Sequence, residues 1–430
     1  MNITALLNKE VEGSLDFFLD YTNLNPDSKG YGLTVDTTKN KKEASIASVG
    51  FALTAWVIAV ERGRLSRQAA LEITRKTLHT LFYNVSHWNG FFAHFLNIET
   101  GERRRKCEFS TIDTSICLNG VITAAAYFQD EEVDHLAQKL LERVDWDCFI
   151  FERNGSTLFR MAYNLDDRGV LSLDHPGFIH QWNMAAEQKM MYLQAAGYID
   201  PALAVRLYQG FSRDTGLFEG QKIIVNPGGN LFAYQFSEAW LDTRNYLDPD
   251  GIDWFNNTRL AALANRSFCI EHSDQFKTYH ANSWGASCGD SPWGYDVSGS
   301  TPALHTPKPN GTVSIFSALA CLPFIPDLTM DMVQYLHETH PKTWGKYGFY
   351  DSYNLDVTPP WYARSLYGID KGCSMIMIEN YLTGLVWETY TNSQTIQKAL
   401  AVLGFTRKPC DEGDEQSGYS LFNQQLTDVV

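Results

Sequence analysis

Residues 43–60, EASIASVGFALTAWVIAV, are followed after a short break by residues 66–82, SRQAALEITRKTLHTLF. Wound as a helix, the first stretch is apolar or small on every side. The second carries one apolar stripe among Arg67, Glu72, Arg75 and Lys76. A helix that is apolar all round is enclosed by protein, whereas a striped helix has one face in water. The two stretches therefore predict an inner helix followed by an outer one.

The same spacing of apolar residues three and four apart recurs near 5–21, 110–128, 131–144, 182–196, 200–211, 231–241, 252–272, 310–321, 329–339, 370–386 and 389–402. The stretch at 5–21 stands alone. The others join the opening two as six pairs, and in most pairs the first helix is the more apolar. Strand-like alternation is nearly absent. This reading gives an all-α fold, an (α/α)6 barrel: a double ring of six inner and six outer helices with an extra N-terminal helix. Links within pairs are mostly short and links between pairs are long. Long ordered loops in a compact domain are usually functional, and these are rich in Trp, Tyr, Gly, Asp and His. They are expected to gather at one end, around the mouth of the inner ring. With no Pro/Ser-rich linker and no sequence repeat, residues 1–430 are read as a single domain, with 406–430 a flexible, polar and acidic tail.

Composition narrows the partners. Of the 430 residues, 44% are hydrophobic and 20% charged, enough to bury a large core, and no run is long enough for a membrane span. A formal net charge of −15 argues against nucleic acid, whose binding relies on clustered cations, and the basic run Arg103–Lys106 is too short to change that. No membrane partner is expected either. Eight cysteines are scattered without a CxxC pair, so most are expected to be reduced and buried. The opening residues lack a charged start followed by an apolar export segment, which predicts a cytoplasmic location unless such a segment has been trimmed. No phosphate loop or dinucleotide fingerprint is present, no cofactor is expected, and the spacing of Glu271, His272 and His280 does not demand a metal.

Four acids stand where chemistry is expected. KCEFSTIDTSICLNG, residues 106–120, brings Glu108 and Asp113 to the start of the second inner helix. Ser110 followed by Asp113 also fits a helix-capping box, and Glu108 also fits a loop carboxylate paired with Arg103 or Arg105. In HQWNMAAEQKMMYLQAAG, residues 180–197, Asn183 is placed to cap a helix and Glu187 falls just past its first turn, between Met184 and Met191. Apolar neighbours there raise a carboxyl pKa and keep it protonated, as a proton donor requires; a surface glutamate favoured by the helix dipole is the other reading. KYGFYDSYN, residues 346–354, sets Asp351 between Tyr350 and Tyr353. Glycosidic cleavage needs such acids in pairs, one to protonate the departing oxygen and one to activate water or attack the sugar. Trp88, Trp182, Trp240, Trp284 and Trp293 lie in or beside the long connections, with Asp290 and Arg244 near them, and Tyr350 adds another ring. Each is a candidate sugar-stacking or hydroxyl-binding group, and each alone is more often core packing. GASCG, residues 285–289, matches GxSxG without the strand and helix that strain a nucleophilic serine. HETH, residues 337–340, lacks the histidine spacing of a zinc-binding HExxH.

Taken together, GYGLTVD (30–36), ASIASVGFALTAWVIAVERG (44–63), WNGFFAHFLN (88–97), EFSTIDTSICLNG (108–120), YQFSEAWLDTRN (234–245), WGASCGDSPWGY (284–295) and KYGFYDSYN (346–354) resemble the glucoamylase-like, or glycoamylase, family. That family includes the endo-β-1,2-glucanases of glycoside hydrolase family 144. The resemblance runs in order over residues 5 to 405. It implies an (α/α)6 fold and inverting hydrolysis of β-1,2-linked glucan or its oligosaccharides, which would then be the partner. It assigns Glu108 and Asp113 to the family's acidic motif and Asp351 to its FYDS loop. The proton donor falls to Glu187, although the family reads closer to YNEAM where this chain has WNMAAEQKM. Two other functions suit the same barrel. A sugar epimerase or isomerase would present paired histidines, with His94, His180 and His280 the candidates, and a non-catalytic glycan-binding protein would keep the aromatic walls without needing the acids.

Overall fold

The computed structural model describes residues 2–166 and 177–409. Fourteen α-helices lie among them: α1 (Ile3–Tyr21), α2 (Ile46–Glu61), α3 (Arg67–Tyr83), α4 (Thr111–Phe128), α5 (Glu131–Arg143), α6 (Lys189–Ala196), α7 (Pro201–Gly210), α8 (Phe232–Trp240), α9 (Trp254–Glu271), α10 (Ile315–Leu319), α11 (Pro326–Thr339), α12 (Gly368–Leu382), α13 (Leu385–Thr391) and α14 (Gln394–Leu403).

The sequence pattern decides how each helix is buried. All of Ile46–Ala59 in α2 is buried, whereas α3 buries only Ala70, Thr74, Thr77, Leu78, Thr80 and Leu81. The contrast repeats between α4, buried at most positions, and α5, which buries Val133, Leu136, Ala137, Leu140 and Leu141. The striped helices are well capped: the side chain of Ser66 accepts from the Ala69 N–H, and that of Asp130 from the Val133 N–H. Acids Glu131, Glu132 and Asp134 open α5 and Arg143 closes it, in the sense the helix dipole favours.

The enclosed helices pack on one another: α2 against α4 and α12, α4 against α6, and α12 against α8 and α10. Glycine sets the closest of these approaches. A Cβ on Gly50 would lie 2.1 Å from the Ile116 carbonyl oxygen, and one on Gly120 would lie 2.1 Å from the Gly50 carbonyl oxygen. Only glycine lets α2 and α4 meet backbone to backbone. One apolar cluster, running from Leu6 in α1 to Leu403 in α14, draws side chains from every helix. No helix among the described residues is long and apolar enough to cross a membrane.

The expectation that strands are nearly absent needs correction. Short antiparallel strands pin the long connections to the N-terminal ends of the enclosed helices. Glu43–Ser45, leading into α2, pairs with Phe95–Asn97, and Phe109–Ser110, leading into α4, pairs with Ala162–Tyr163. Thr312–Ser314, leading into α10, pairs with Ser352–Asn354. These strands are two to eight residues long, too short for a period of two to stand out in the sequence. Helical expectations also change: the stretch at 310–321 is helical only over Ile315–Leu319, and that at 370–386 breaks after Leu382. The stretch at 182–196 is helical only from Lys189, and the stretch at 389–402 divides into the end of α13 and α14. The tail expected from residue 406 begins ordered: Thr406–Arg407 pairs with Tyr246–Leu247, and Lys408 Nζ lies 2.7 Å from Asp253 Oδ2. The rest of that expected tail, with Cys410, lies outside the described residues. The seven described cysteines are free thiols, all buried except half-buried Cys148.

Candidate active site

Because strands run straight into α2, α4 and α10, the residues just before and just inside the helix N-termini share one end of the fold. Asp113 is the third residue of α4, Asp370 the third of α12, and Glu187 comes two residues ahead of α6. Asp36 precedes the strand that leads into α2, and Asp351 adjoins the strand paired to the α10 entry.

His94 organises one side. Its Nδ1 lies 2.7 Å from Glu108 Oε1 and its Nε2 lies 3.7 Å from Asp113 Oδ1. Burial alone pushes the imidazole down, but Asp113 and Glu108, then Asp36, outweigh it and hold His94 protonated up to about 9. The hydrogen bond from His94 in turn keeps the Glu108 carboxyl below the ordinary glutamate range. Both readings of Ser110–Asp113 hold at once. Ser110 Oγ accepts the Asp113 N–H at 3.2 Å, so Ser110 supplies the cap, while its hydroxyl donates to Asp113 Oδ2 at 2.6 Å. Oδ1 of Asp113 is thus left facing His94. Burial raises Asp36 to about 6 against the pull of His94.

Glu187 does not lie past the first turn of a helix, since α6 begins only at Lys189, and it is half-buried rather than a surface residue. Asn183 does not cap: its carbonyl accepts the Ser212 N–H at 3.0 Å, and residues 184–188 form bends before α6. Ser237 of α8 donates to the Glu187 carbonyl, and its Oγ accepts the Met190 N–H at 3.2 Å, fixing the entry into α6. The carboxyl lies deep yet keeps solvent access. Burial pushes it up to about 7, the Asp113 charge adds to the rise, and Lys189 opposes it.

On the other side Asp351 is buried, and its Oδ2 accepts the Asp290 N–H at 2.5 Å. Burial raises Asp351 to about 6, with the side chain of Asp370 and the Asp290 N–H pulling back. The backbone must come close here: a Cβ on Gly289 would lie 3.0 Å from Asp351 Oδ2 and 2.6 Å from Ser314 Oγ. Asp290 binds Lys39 through both oxygens at 2.8 and 2.9 Å and accepts the Ser365 hydroxyl. The Tyr295 hydroxyl stands 3.4 Å from Asp370 Oδ1, and its ring meets Tyr367 edge-on at 4.8 Å. The charge of Asp36 acts on His94 and also on Tyr295, Tyr367 and Asp370, so the two sides lie within electrostatic reach of one another.

Glu108, Asp113, Glu187 and Asp351 thus converge, and Asp290 and Tyr350 stand beside Asp351. The aromatic expectations fare less well. Trp240 and Arg244 are at the opposite end of α8: Trp240 is fully buried with its indole N–H on Thr54 Oγ1 at 3.0 Å, and Arg244 pairs with Asp242 at 2.8 Å over the Trp387 ring. The Phe232 N–H at the start of α8 bonds Ser287 Oγ, two residues before the Gly289 that meets Asp351, so the other end of the helix carries Trp240 and Arg244 away from these acids. Trp284 is fully buried in the core. Trp182 is buried with its N–H on Thr111 Oγ1 at 3.1 Å. Trp88 gives one face to Tyr163, stacked at 4.0 Å. Trp293, 66% exposed at the tip of the Gly289–Asp296 hairpin, is the tryptophan of this group whose ring is open. Sequence reasoning missed Asp36 and Asp370 and placed His94 only in a rival role. Asp36 closes the GYGLTVD motif, and Asp370 opens an otherwise apolar helix; those positions were the available signals. The three histidines weighed for isomerase chemistry do not pair. His280 packs edge-on against Tyr335 at 4.5 Å, and His180 is exposed on a strand.

Over 384 residues the chain is 25% identical to the exo β-1,2-glucooligosaccharide sophorohydrolase (non-reducing end) of Parabacteroides distasonis, a match covering 82% of the chain and 52% of that protein. The chain therefore spans about half the length of this curated relative. Among solved structures, the endo-β-1,2-glucanase of Chitinophaga pinensis, in complex with sophorotriose and glucose, superposes with a TM-score of 0.80 at 23% identity, covering 94% of this chain and 99% of that one. The β-1,2-glucanase of Parabacteroides distasonis gives 0.81 at 22% identity, covering 94% of this chain and 60% of that one. At these identities the likeness establishes the fold. The family model for glycoamylase, described as "Putative glucoamylase", matches residues 179–394, half of the sequence, and the chain belongs to that family.

Proposed function

We propose that the helices close into an (α/α)6 double ring forming one domain, and that its acidic mouth hydrolyses β-1,2-linked glucan or its oligosaccharides with inversion. The observation that carries the chemistry is a pair of carboxyls, half-buried Glu187 and buried Asp351, that their surroundings raise to about 7 and about 6, on either side of the same near-neutral pH. Near that pH one can hold a proton while the other has lost its own, the division of labour that glycosidic cleavage needs. Glu187 gives its proton to the departing oxygen, directly or through a substrate hydroxyl. Asp351 takes a proton from water as the water oxygen bonds to the anomeric carbon and the glycosidic C–O bond breaks. Glu108 is the weaker base, because the hydrogen bond to His94 lowers its proton affinity whereas burial raises that of Asp351. Asp113 and His94 hold sugar hydroxyls, and Trp293 and Tyr350 offer ring faces. The β-1,2 linkage is favoured by the named activities of the relatives.

The test is incubation with β-1,2-glucan and sophoro-oligosaccharides, with products resolved by length and the first-formed anomer read by proton NMR. Shorter sugars appearing first as the α-anomer are expected. Unchanged substrate overturns the hydrolase reading, an altered monosaccharide supports isomerisation, and a β-anomer appearing first overturns inversion. The pH profile of kcat/KM should be a narrow bell. Activity rises through about 6 as Asp351 ionises and falls through about 7 as Glu187 loses its proton. A broad plateau extending to about pH 9 would contradict the assignment of Glu187 as the acid.

A further inference from the structure

Among the described residues, one oxygen of Asp351 has no N–H or hydroxyl donor. Oδ2 of Asp351 takes the Asp290 N–H, but Oδ1 is buried with neither an N–H nor a hydroxyl to bond it. What faces Asp351 instead is another buried carboxyl, Asp370, and the two line one small enclosed cavity with Glu10, Tyr350, Tyr367 and Lys371. The cation nearest in sequence, Lys371, is committed to Glu10 and to the Phe349 carbonyl. Two facing carboxylates without a cation repel, and the pair is relieved only if one keeps its proton and gives it to the other.

We propose that Asp370 is a positioning residue that stays protonated and donates its O–H to Oδ1 of Asp351, so that Asp351 is the member of the pair free to ionise. This rests on Asp351 being the base in the reading above. The surroundings decide which partner keeps the proton. Asp351 accepts a short backbone N–H from Asp290, which favours its charge. Among the described residues the donor to the Asp370 carboxyl is the Tyr295 hydroxyl, at 3.4 and 3.5 Å from its two oxygens. The titratable groups acting on Asp370 from the packed elements are Asp351, Asp36, the Tyr295 and Tyr367 phenols and the Cys288 and Cys373 thiols, with the Glu10–Lys371 pair on the same cavity. The carboxylates among them favour neutrality at Asp370; burial holds the Tyr367 phenol and the two thiols neutral, and the Tyr295 ring is 44% exposed but its hydroxyl, turned to Asp370, is also pushed up. Its place in the first turn of α12 favours charge, but a helix terminus is a weak influence beside full burial.

The pair can be tested with and without turnover. In the unliganded wild-type protein carrying ¹³C-carboxyl aspartate, one aspartate is expected to remain protonated at about pH 7.5 and to be lost in Asp370→Asn. If every aspartate is ionised there, the proposal is overturned whatever the protein hydrolyses. Failure of the glucan assay alone would instead count only against the proposed function. In the pH profile on sophoro-oligosaccharides, Asp370→Asn keeps an N–H donor and should leave the acidic limb and kcat near wild type. Asp370→Ala removes the donor, should move the acidic limb up by roughly one pH unit, and should lower kcat with little change in KM. An acidic limb that stays in place in both variants, or moves equally in both, overturns the proposal.

Discussion

Replacing Glu187 by Gln is expected to lower kcat on sophoro-oligosaccharides by about 10²- to 10⁴-fold, the range a positioned proton donor contributes, while leaving binding close to wild type. Gln has the shape of Glu and can still hydrogen-bond, but it cannot transfer a proton. The anchoring of this position is backbone-based, since Ser237 donates to the Glu187 carbonyl and also accepts the Met190 N–H, so the substitution leaves the entry to α6 intact. The side chain is held near neutrality mainly by burial, with the Asp113 charge helping. An aryl glycoside whose leaving group departs without protonation should recover much of the lost rate, because it no longer needs the donor. The measurement is kcat and KM on both substrates, with calorimetric binding of the oligosaccharide. A kcat within about threefold of wild type on the natural linkage would remove Glu187 from the role of acid.

How much of this was legible in the sequence follows from how far each signal reaches along the chain. A fully buried helix such as α2 and a striped one such as α3 announce themselves, because the burial of each residue depends on one repeating period. Glu108, Asp113 and Asp351 were readable because they sit at the junctions where a strand enters a helix or pairs with such a strand. The aromatic assignments failed where a ring's surroundings depend on which end of a helix it occupies. Trp240 and Arg244 follow the same kind of apolar stretch as the site residues, but they leave α8 from its C-terminal end, and spacing alone does not tell the ends apart. Glu187 was assigned to a helix that begins two residues later, because Asn183 looks like a cap while its carbonyl is spent on Ser212. Asp36, Asp370 and Tyr295 were missed because their importance lies in one another: each is an ordinary residue locally, and only the tertiary approach of three connections makes them a cluster.

The second large effect is expected at the floor of the site, on stability. Lys371 and Glu10 form an ion pair in which the side chains are 4% and 1% exposed. Glu10 Oε2 also accepts the Phe349 N–H at 2.7 Å, and Lys371 donates to the Phe349 carbonyl at 3.3 Å. The pair therefore clamps α1 and α12 to the backbone immediately ahead of Tyr350 and Asp351. Lys371→Met keeps most of the volume and leaves a buried carboxylate without its counter-charge, which should cost about 3–5 kcal/mol of unfolding free energy at neutral pH. The pH dependence has a definite sign. Burial already raises the Glu10 pKa in the folded state, with Lys371 opposing, so removing the lysine raises it further. A group whose folded pKa lies above its unfolded one favours folding at low pH, and that contribution is lost as pH rises through the folded value. The penalty in the variant should therefore be largest at about pH 8 and shrink towards about pH 5, where Glu10 enters the folded state protonated. Adding Glu10→Gln should recover most of the loss, since a neutral amide can still accept the Phe349 N–H. Urea midpoints at the two pH values measure all three proteins. A loss below about 1 kcal/mol, or one that does not change with pH, would mean that the clamp is held by apolar packing around it rather than by the charges.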